Sequence, residues 1–364
     1  MCKPNYKFIG GLMIKDRKPD YSWIKEMEPI HDIIDPEAET KRELPVLDEP
    51  KSMTMDKKVI LEAATTGWQP TSWWRERGED ELPPGSRGGE TCVQEQVDAI
   101  VECVKAGAAG IHTHPRRASD GLPVLHEAKL TAEIYDRAFD EVDYVTFGHA
   151  FTWDLRKGEA VDFVGPAEEF LELGKGNKYL QSALIPSYGS HEEGRFLYTE
   201  EAMIEGVTFY EENNIKPICS IEPYFFPQFK RMLFDTGLVK KPYLIALQMG
   251  KHGDDQQFSD PWSYLQMITN MGLVRSIIDD ADMTLGLHPG GRNWLAVTVV
   301  ALLNGVQYIR LGIEDIFFLW PHKDDIAHKT SKTIEMIKNI CTELGRELAT
   351  PEEARQIMGI EYTS

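Results

Sequence analysis

Ala106-Gly107-Ala108-Ala109-Gly110-Ile111-His112-Thr113-His114-Pro115-Arg116 is the stretch from which the rest of the chain can be read. Residues 91–106 read as a helix, with Glu90 and Thr91 at its start. The small residues that follow make a turn, and Ile111 opens a short strand in an apolar setting. Residues i and i+2 of an extended strand share a face, so His112 and His114 project side by side. Two neutral imidazoles on one face suit zinc, iron or nickel. The same pair also fits two histidines sharing a hydrated strand end, and a third ligand would separate the two cases.

Outward from this unit the same alternation recurs. Strands are expected at 59–65, 142–146, 179–184, 217–221, 243–247, 283–287 and 307–311, besides the one at His112. Helices are expected at 127–139, 199–213, 224–234, 261–277, 293–303 and 325–344. Short apolar strands alternating with helices imply a parallel sheet covered by helices. Eight such units in this length favour a closed (β/α)₈ TIM barrel, an α/β fold, over an open doubly wound sheet. Residues 1–56, rich in charge, proline and methionine, read as an N-terminal extension, leaving 57–364 as the catalytic barrel domain.

The totals exclude several functions. A net charge of −20 over 364 residues argues against nucleic-acid wrapping, which needs a basic footprint. Five scattered cysteines without a C-x-x-C pair fit reduced thiols in a cytoplasmic protein. No apolar run is long enough to cross a membrane, and the N-terminus starts no signal peptide. No dinucleotide fingerprint or Walker loop occurs. Gly286-Leu287-His288-Pro289-Gly290-Gly291-Arg292 is either a phosphate cradle at a helix N-terminus or a tight barrel loop.

Catalytic groups of a parallel barrel gather at the C-terminal ends of the strands. The polar residues expected there are Thr66 and Gln69, His112 and His114, Thr146 and His149, Ser182 or Ser187, Glu222, His252, His288, and finally Arg310, Glu314 and Asp315. Strand eight adjoins strand one, so Glu314 can complete a His-His-Glu set with an open position for substrate. His149 is a rival third ligand. Asp315, kept off the metal, can serve as a general base. Arg310 can orient it or grip a substrate carboxylate; Arg310 and Asp315 also fit a structural ion pair. Trp68, Trp73 and Trp74 fit either a lid or packing against the extension.

These motifs resemble the β-keto acid cleavage enzymes, typified by the 3-keto-5-aminohexanoate cleavage enzyme. The likeness is carried by 106–116, by Asp120-Gly121-Leu122-Pro123, by Ile309-Arg310-Leu311-Gly312-Ile313-Glu314-Asp315 and by 345–355, and it spans residues 59–360. It implies a zinc-dependent barrel enzyme, a homodimer or homotetramer, that converts a β-keto acid and acetyl-CoA into acetoacetate and a new acyl-CoA by a retro-Claisen step. It implies His112, His114 and Glu314 as zinc ligands and Asp315 as the base, assisted by Arg310. Thr146, with Ser187 or Ser182, would supply hydroxyls, and Thr66, Trp68, Gln69 and His149 would line the substrate. Gly67-Trp68-Gln69 stands where family members often carry Gly-Ala-Glu, so the substrate expected here does not bear an amino group. Thr113 and Pro115 also depart from the family's usual aliphatic residues. The competing expectations are another metal-dependent barrel lyase or hydrolase, aldolase-like, and a non-catalytic ligand-binding barrel.

Overall fold

Eight parallel strands follow one another around a closed barrel in this computed structural model, and the last pairs with the first. Described are residues 6–9, 12–15, 55–67, 81–124, 126–148, 151, 161–186, 191–192, 195–196, 198–221, 225–249 and 263–363. The chain divides into two compact units, Met1–Ser52 and Met53–Ser364. In the first, Tyr6–Ile9 and Leu12–Lys15 pair as an antiparallel hairpin.

The second unit is the expected (β/α)₈ barrel. Its strands are β1 Ile60–Ala64, β2 Gly110–His112, β3 Val145–Gly148, β4 Ser182–Pro186, β5 Lys216–Ile221, β6 Tyr243–Met249, β7 Met283–Pro289 and β8 Tyr308–Leu311. Around them lie α1 Cys92–Ala106, α2 Ala128–Phe139, α3 Val164–Gly174, α4 Glu200–Glu212 and α5 Phe226–Phe229, which runs into a π turn over Lys230–Phe234. Then come α6 Ser263–Arg275, α7 Trp294–Leu303, α8 Thr330–Glu343 and α9 Pro351–Met358. The strands are buried almost throughout, as a sheet covered on both faces must be.

Several strand bounds differ from the sequence expectation, and three of them move a candidate residue; β7 runs to Pro289, so His288 lies within it. β3 runs to Gly148, so Thr146 is its second residue and not its end. β4 starts at Ser182, which puts that serine at the N-terminal end of its strand. Helices α3 and α9 were not anticipated, although α9 carries readable signals. Thr350 and Glu353 form a capping box, Pro351 occupies the first turn, and Gly359 closes the helix in the left-handed conformation.

The lumen is tightly filled. Phe147 on β3 and Tyr308 on β8 meet across it with ring centroids 5.6 Å apart. A Cβ on Gly110 would sit 2.1 Å from the Phe147 ring, so only glycine opens β2 beneath the two histidines. On the N-terminal face, the segment after α8 clasps the barrel. Val59 donates to the Glu347 carbonyl and Ala349 returns a bond to Val59, each at 2.8 Å. Arg346 donates to the carbonyls of Leu302, Val306 and Lys57. Arg355 holds Asp143, the Tyr144 carbonyl and Gln181. Among the described residues no helix is long and apolar enough to cross a membrane.

Candidate metal centre and active site

His112 ends β2, and His114 lies two residues beyond it. Two strands' worth of backbone fixes the pair. His112 Nδ1 lies 3.2 Å from the Phe147 carbonyl on β3, which leaves Nε2 to face the carboxylate of Glu314 at 3.2 Å. A bond to the second ring nitrogen is the usual way a protein sets the orientation of a ligating imidazole. Thr66 Oγ1, just past β1, donates to the His114 carbonyl at 2.8 Å and accepts from its amide at 3.2 Å. His114 Nε2 then lies 3.5 Å from Glu314 Oε1.

Glu314 arrives from the loop after β8. Gly312 makes that approach possible: at φ 150°, a Cβ there would lie 2.1 Å from the Ala64 carbonyl oxygen. Thr330 at the start of α8 donates to that same carbonyl at 2.9 Å and accepts from the Ile313 amide at 3.2 Å. Ligand atoms of His112, His114 and Glu314 lie within 4.8 Å of one another, all buried. Two imidazoles and one carboxylate, with no fourth protein ligand among the described residues, match the donor set of a catalytic metal site.

Arg310 on β8 bonds Glu314 Oε1 through Nη2, which also lies 3.2 Å from Asp315 Oδ2. Burial pulls His112 down to about 4, with the Arg310 charge adding to it, so the imidazole is neutral and able to ligate near neutral pH. Burial alone would raise the Glu314 carboxyl. Arg310 and the two histidines outweigh it and hold the group well below the ordinary range. Burial alone would lower Arg310, but the surrounding Glu314, Asp315 and Glu62 raise it.

Not every expected residue joins this cluster. Thr146 faces the helices: its hydroxyl donates to the Lys178 carbonyl at 3.2 Å and accepts from the Gln181 amide at 2.9 Å. Alternation along β3 explains this, since its neighbour Phe147 takes the lumen face. Ser182 donates to the Lys216 carbonyl at 2.7 Å, at the strand end away from the metal ligands. Neither hydroxyl is available to a substrate at the C-terminal mouth. Trp68, Gln69, Trp73, Trp74, His149, Ser187, Glu222 and His252 lie outside the described residues. In the glycine-rich turn after β7, the Gly290 amide bonds the Met249 carbonyl and the Gly291 amide bonds the Asp315 carbonyl. The turn thus braces Asp315 instead of presenting those amides to a phosphate. Cys219 is a buried core residue whose thiol burial pushes up to about 12, in keeping with a packing role.

Two residues that sequence reasoning passed over support the site. Buried Arg116 donates to the Thr66, Gly67 and Gly121 carbonyls, tying the loops after β1 and β2 together. Glu62 sits inside the apolar run of β1 and accepts from Tyr308. A carboxylate in a strand buried on both faces was the available signal for it.

The chain is similar to several known proteins. A 3-keto-5-aminohexanoate cleavage enzyme of Acetoanaerobium sticklandii is 25% identical over 272 residues, 74% of this chain and 90% of that protein. A 3,5-dioxohexanoate:acetyl-CoA acetone transferase of Paraburkholderia graminis is 22% identical over 324 residues, 85% of this chain and 98% of that one. Among solved structures, a binary complex of ObcA with oxaloacetate superimposes with a TM-score of 0.56 at 14% identity, covering 77% of this chain and 68% of that one. At that identity the likeness is one of fold. The family model of the beta-keto acid cleavage enzymes matches residues 58–360, and the chain belongs to that family.

Proposed function

We propose that this protein is a zinc-dependent β-keto acid cleavage enzyme. It transfers the acyl group of a β-keto acid to coenzyme A, taking the keto acid and acetyl-CoA to acetoacetate and a new acyl-CoA. The observation that carries the proposal is the His112, His114 and Glu314 cluster, with Arg310 and Asp315 beside it at the mouth of a family barrel. Zinc bound there would act as a Lewis acid toward the substrate's ketone and carboxylate oxygens.

The chain's own groups supply the rest. Asp315 takes the proton from C2 of the keto acid, between its two carbonyl groups. Arg310 Nη2 reaches both Glu314 and Asp315, so one cation steadies two carboxylates with different tasks, one ligating and one basic. Burial of the cluster keeps water from competing for these groups. Acyl exchange then balances, since the acetyl group gained by the C2 carbon leaves with it as acetoacetate and CoA stays with the original acyl carbon. Trp68, Gln69, His149 and Ser187 complete the substrate contacts, and the neutral Gln69 favours an uncharged side chain on the keto acid. The enzyme works in the cytoplasm as a homo-oligomer.

The test is acetoacetate release from a panel of β-keto acids, with and without acetyl-CoA, on protein of measured metal content, alongside His112→Ala. Acetyl-CoA-dependent acetoacetate that disappears with the metal in His112→Ala supports the assignment. Bound zinc with no acetoacetate from any member would point instead to another metal-dependent barrel lyase or hydrolase.

A further inference from the structure

The lumen holds a second polar assembly that this mechanism does not use. Tyr308 donates its hydroxyl to Glu62 Oε2, and the same hydroxyl oxygen lies 3.2 Å from His288 Nε2. His288 Nδ1 is 3.4 Å from Ser220 Oγ, which in turn is 2.5 Å from Gln248 Nε2. All five side chains are buried, and they come from β1, β8, β7, β5 and β6. The contact of Tyr308 with Phe147 across the barrel places the chain inside the lumen. Polar groups are expensive there unless bonded, so five linked in sequence are a built feature.

Proton counting gives the chain a direction. A hydroxyl has one proton to donate. Tyr308 spends its own on Glu62, so at the next contact the His288 ring donates through Nε2. Nδ1 of the same ring faces the Ser220 hydroxyl. Ser220 accepts from Gln248, whose amide turns its NH₂ toward Ser220 and its oxygen away. Gln248 Oε1 is buried and has no hydrogen-bond partner among the described residues. Gln248 is the next-to-last residue of β6, at the end of the barrel where such enzymes hold their substrates.

We propose that Gln248 is a specificity residue of the substrate pocket, and that the preferred β-keto acid carries a hydroxyl on its side chain rather than a ketone, a quaternary ammonium or a plain alkyl group. The inference deepens the proposed β-keto acid activity and rests on it. Glu62 is a positioning residue in this scheme, fixing through Tyr308 and His288 which face of the amide meets the substrate. An acceptor held in one orientation discriminates strongly, because a ligand lacking the donor leaves it buried and unsatisfied.

The experiment is calorimetric titration of the full chain with 5-hydroxy-3-oxohexanoate and with 3-oxohexanoate, in parallel with acetyl-CoA-dependent acetoacetate release from both. The hydroxy acid is expected to bind about ten- to a hundredfold more tightly. Gln248→Leu should bring that ratio close to one, and Tyr308→Phe, which keeps the ring, should reduce it partway. Equal affinities in the unaltered protein, failure of both acids to bind, or a ratio that survives Gln248→Leu would overturn the inference. Binding and turnover are read separately. Acetoacetate from both acids without preference sinks the specificity alone, whereas a clear preference in binding without acetoacetate sinks the reaction and keeps the pocket.

Discussion

At the scale of single residues, Asp315 and Glu314 are sequence neighbours to which the proposed reaction gives different tasks, and Arg310 Nη2 reaches both. Asp315→Asn should keep the metal and lose about 10²- to 10⁴-fold in kcat, the usual worth of a general base. Near-normal turnover would make Asp315 structural. The same cluster predicts a pH dependence in metal-stripped protein. Burial holds His112 down at about 4 in the fold against an ordinary value of 6.5, so the unfolded chain takes up a proton that the folded chain refuses. Stability is therefore complete above pH 6.5 and erodes as the pH falls toward 4, by about 3 kcal/mol from this group. Glu314, held below its ordinary range, adds a loss of the same sign on acidification. Urea midpoints measured at pH 7, 6 and 5 should fall steadily, and a flat series would contradict the burial argument. His112, His114, Glu314 and Asp315 were visible as candidates because a His-x-His strand and a strand-terminal Glu-Asp pair are local patterns. The chain from Glu62 to Gln248 was not, since its members meet only across a lumen formed by five strands.

At the scale of elements, register decided what could be read. An error of two or three residues in a strand end exchanges mouth for floor, and an odd shift exchanges lumen for helix side. Thr146 and Ser182 were misplaced for that reason alone, while the identity of β3 and β4 as strands was correct. The β8-to-α8 connection is where an element controls the chemistry. Gly312→Ala would force the new methyl group against the Ala64 carbonyl and push the loop carrying Glu314 and Asp315 off β1. The expected cost is about 2 kcal/mol or more, together with weaker metal retention. Thermal melts and metal analysis of dialysed protein read both effects; an unchanged metal content would mean that the loop has slack. Thr330, bonded to both Ala64 and Ile313, is the counterpart that holds this seam from the helix side.

At the scale of the whole molecule, the two faces of the barrel divide the labour. The mouth carries the titratable cluster, and the opposite face carries the clasp built from Arg346 and Arg355. The alternation of strands and helices made the barrel legible. The clasp was not, because its arginines bond carbonyls of loops that sequence alone does not bring together. Arg346→Met would take the donor from the carbonyls of Val306 and Lys57, while Leu302 keeps the Gly305 amide, and should cost about 2 kcal/mol while leaving metal stoichiometry unchanged. A loss of metal in the folded variant would show that the faces are coupled. The pairing of β8 with β1 has one more consequence. A ribosome delivers both histidines long before the carboxylate that joins them, so a growing chain offers the cell's metal pool only half a claw. Metal capture would then time-stamp a finished barrel, and a zinc-sensitive dye released during refolding should lag behind the burial of tryptophan, never precede it.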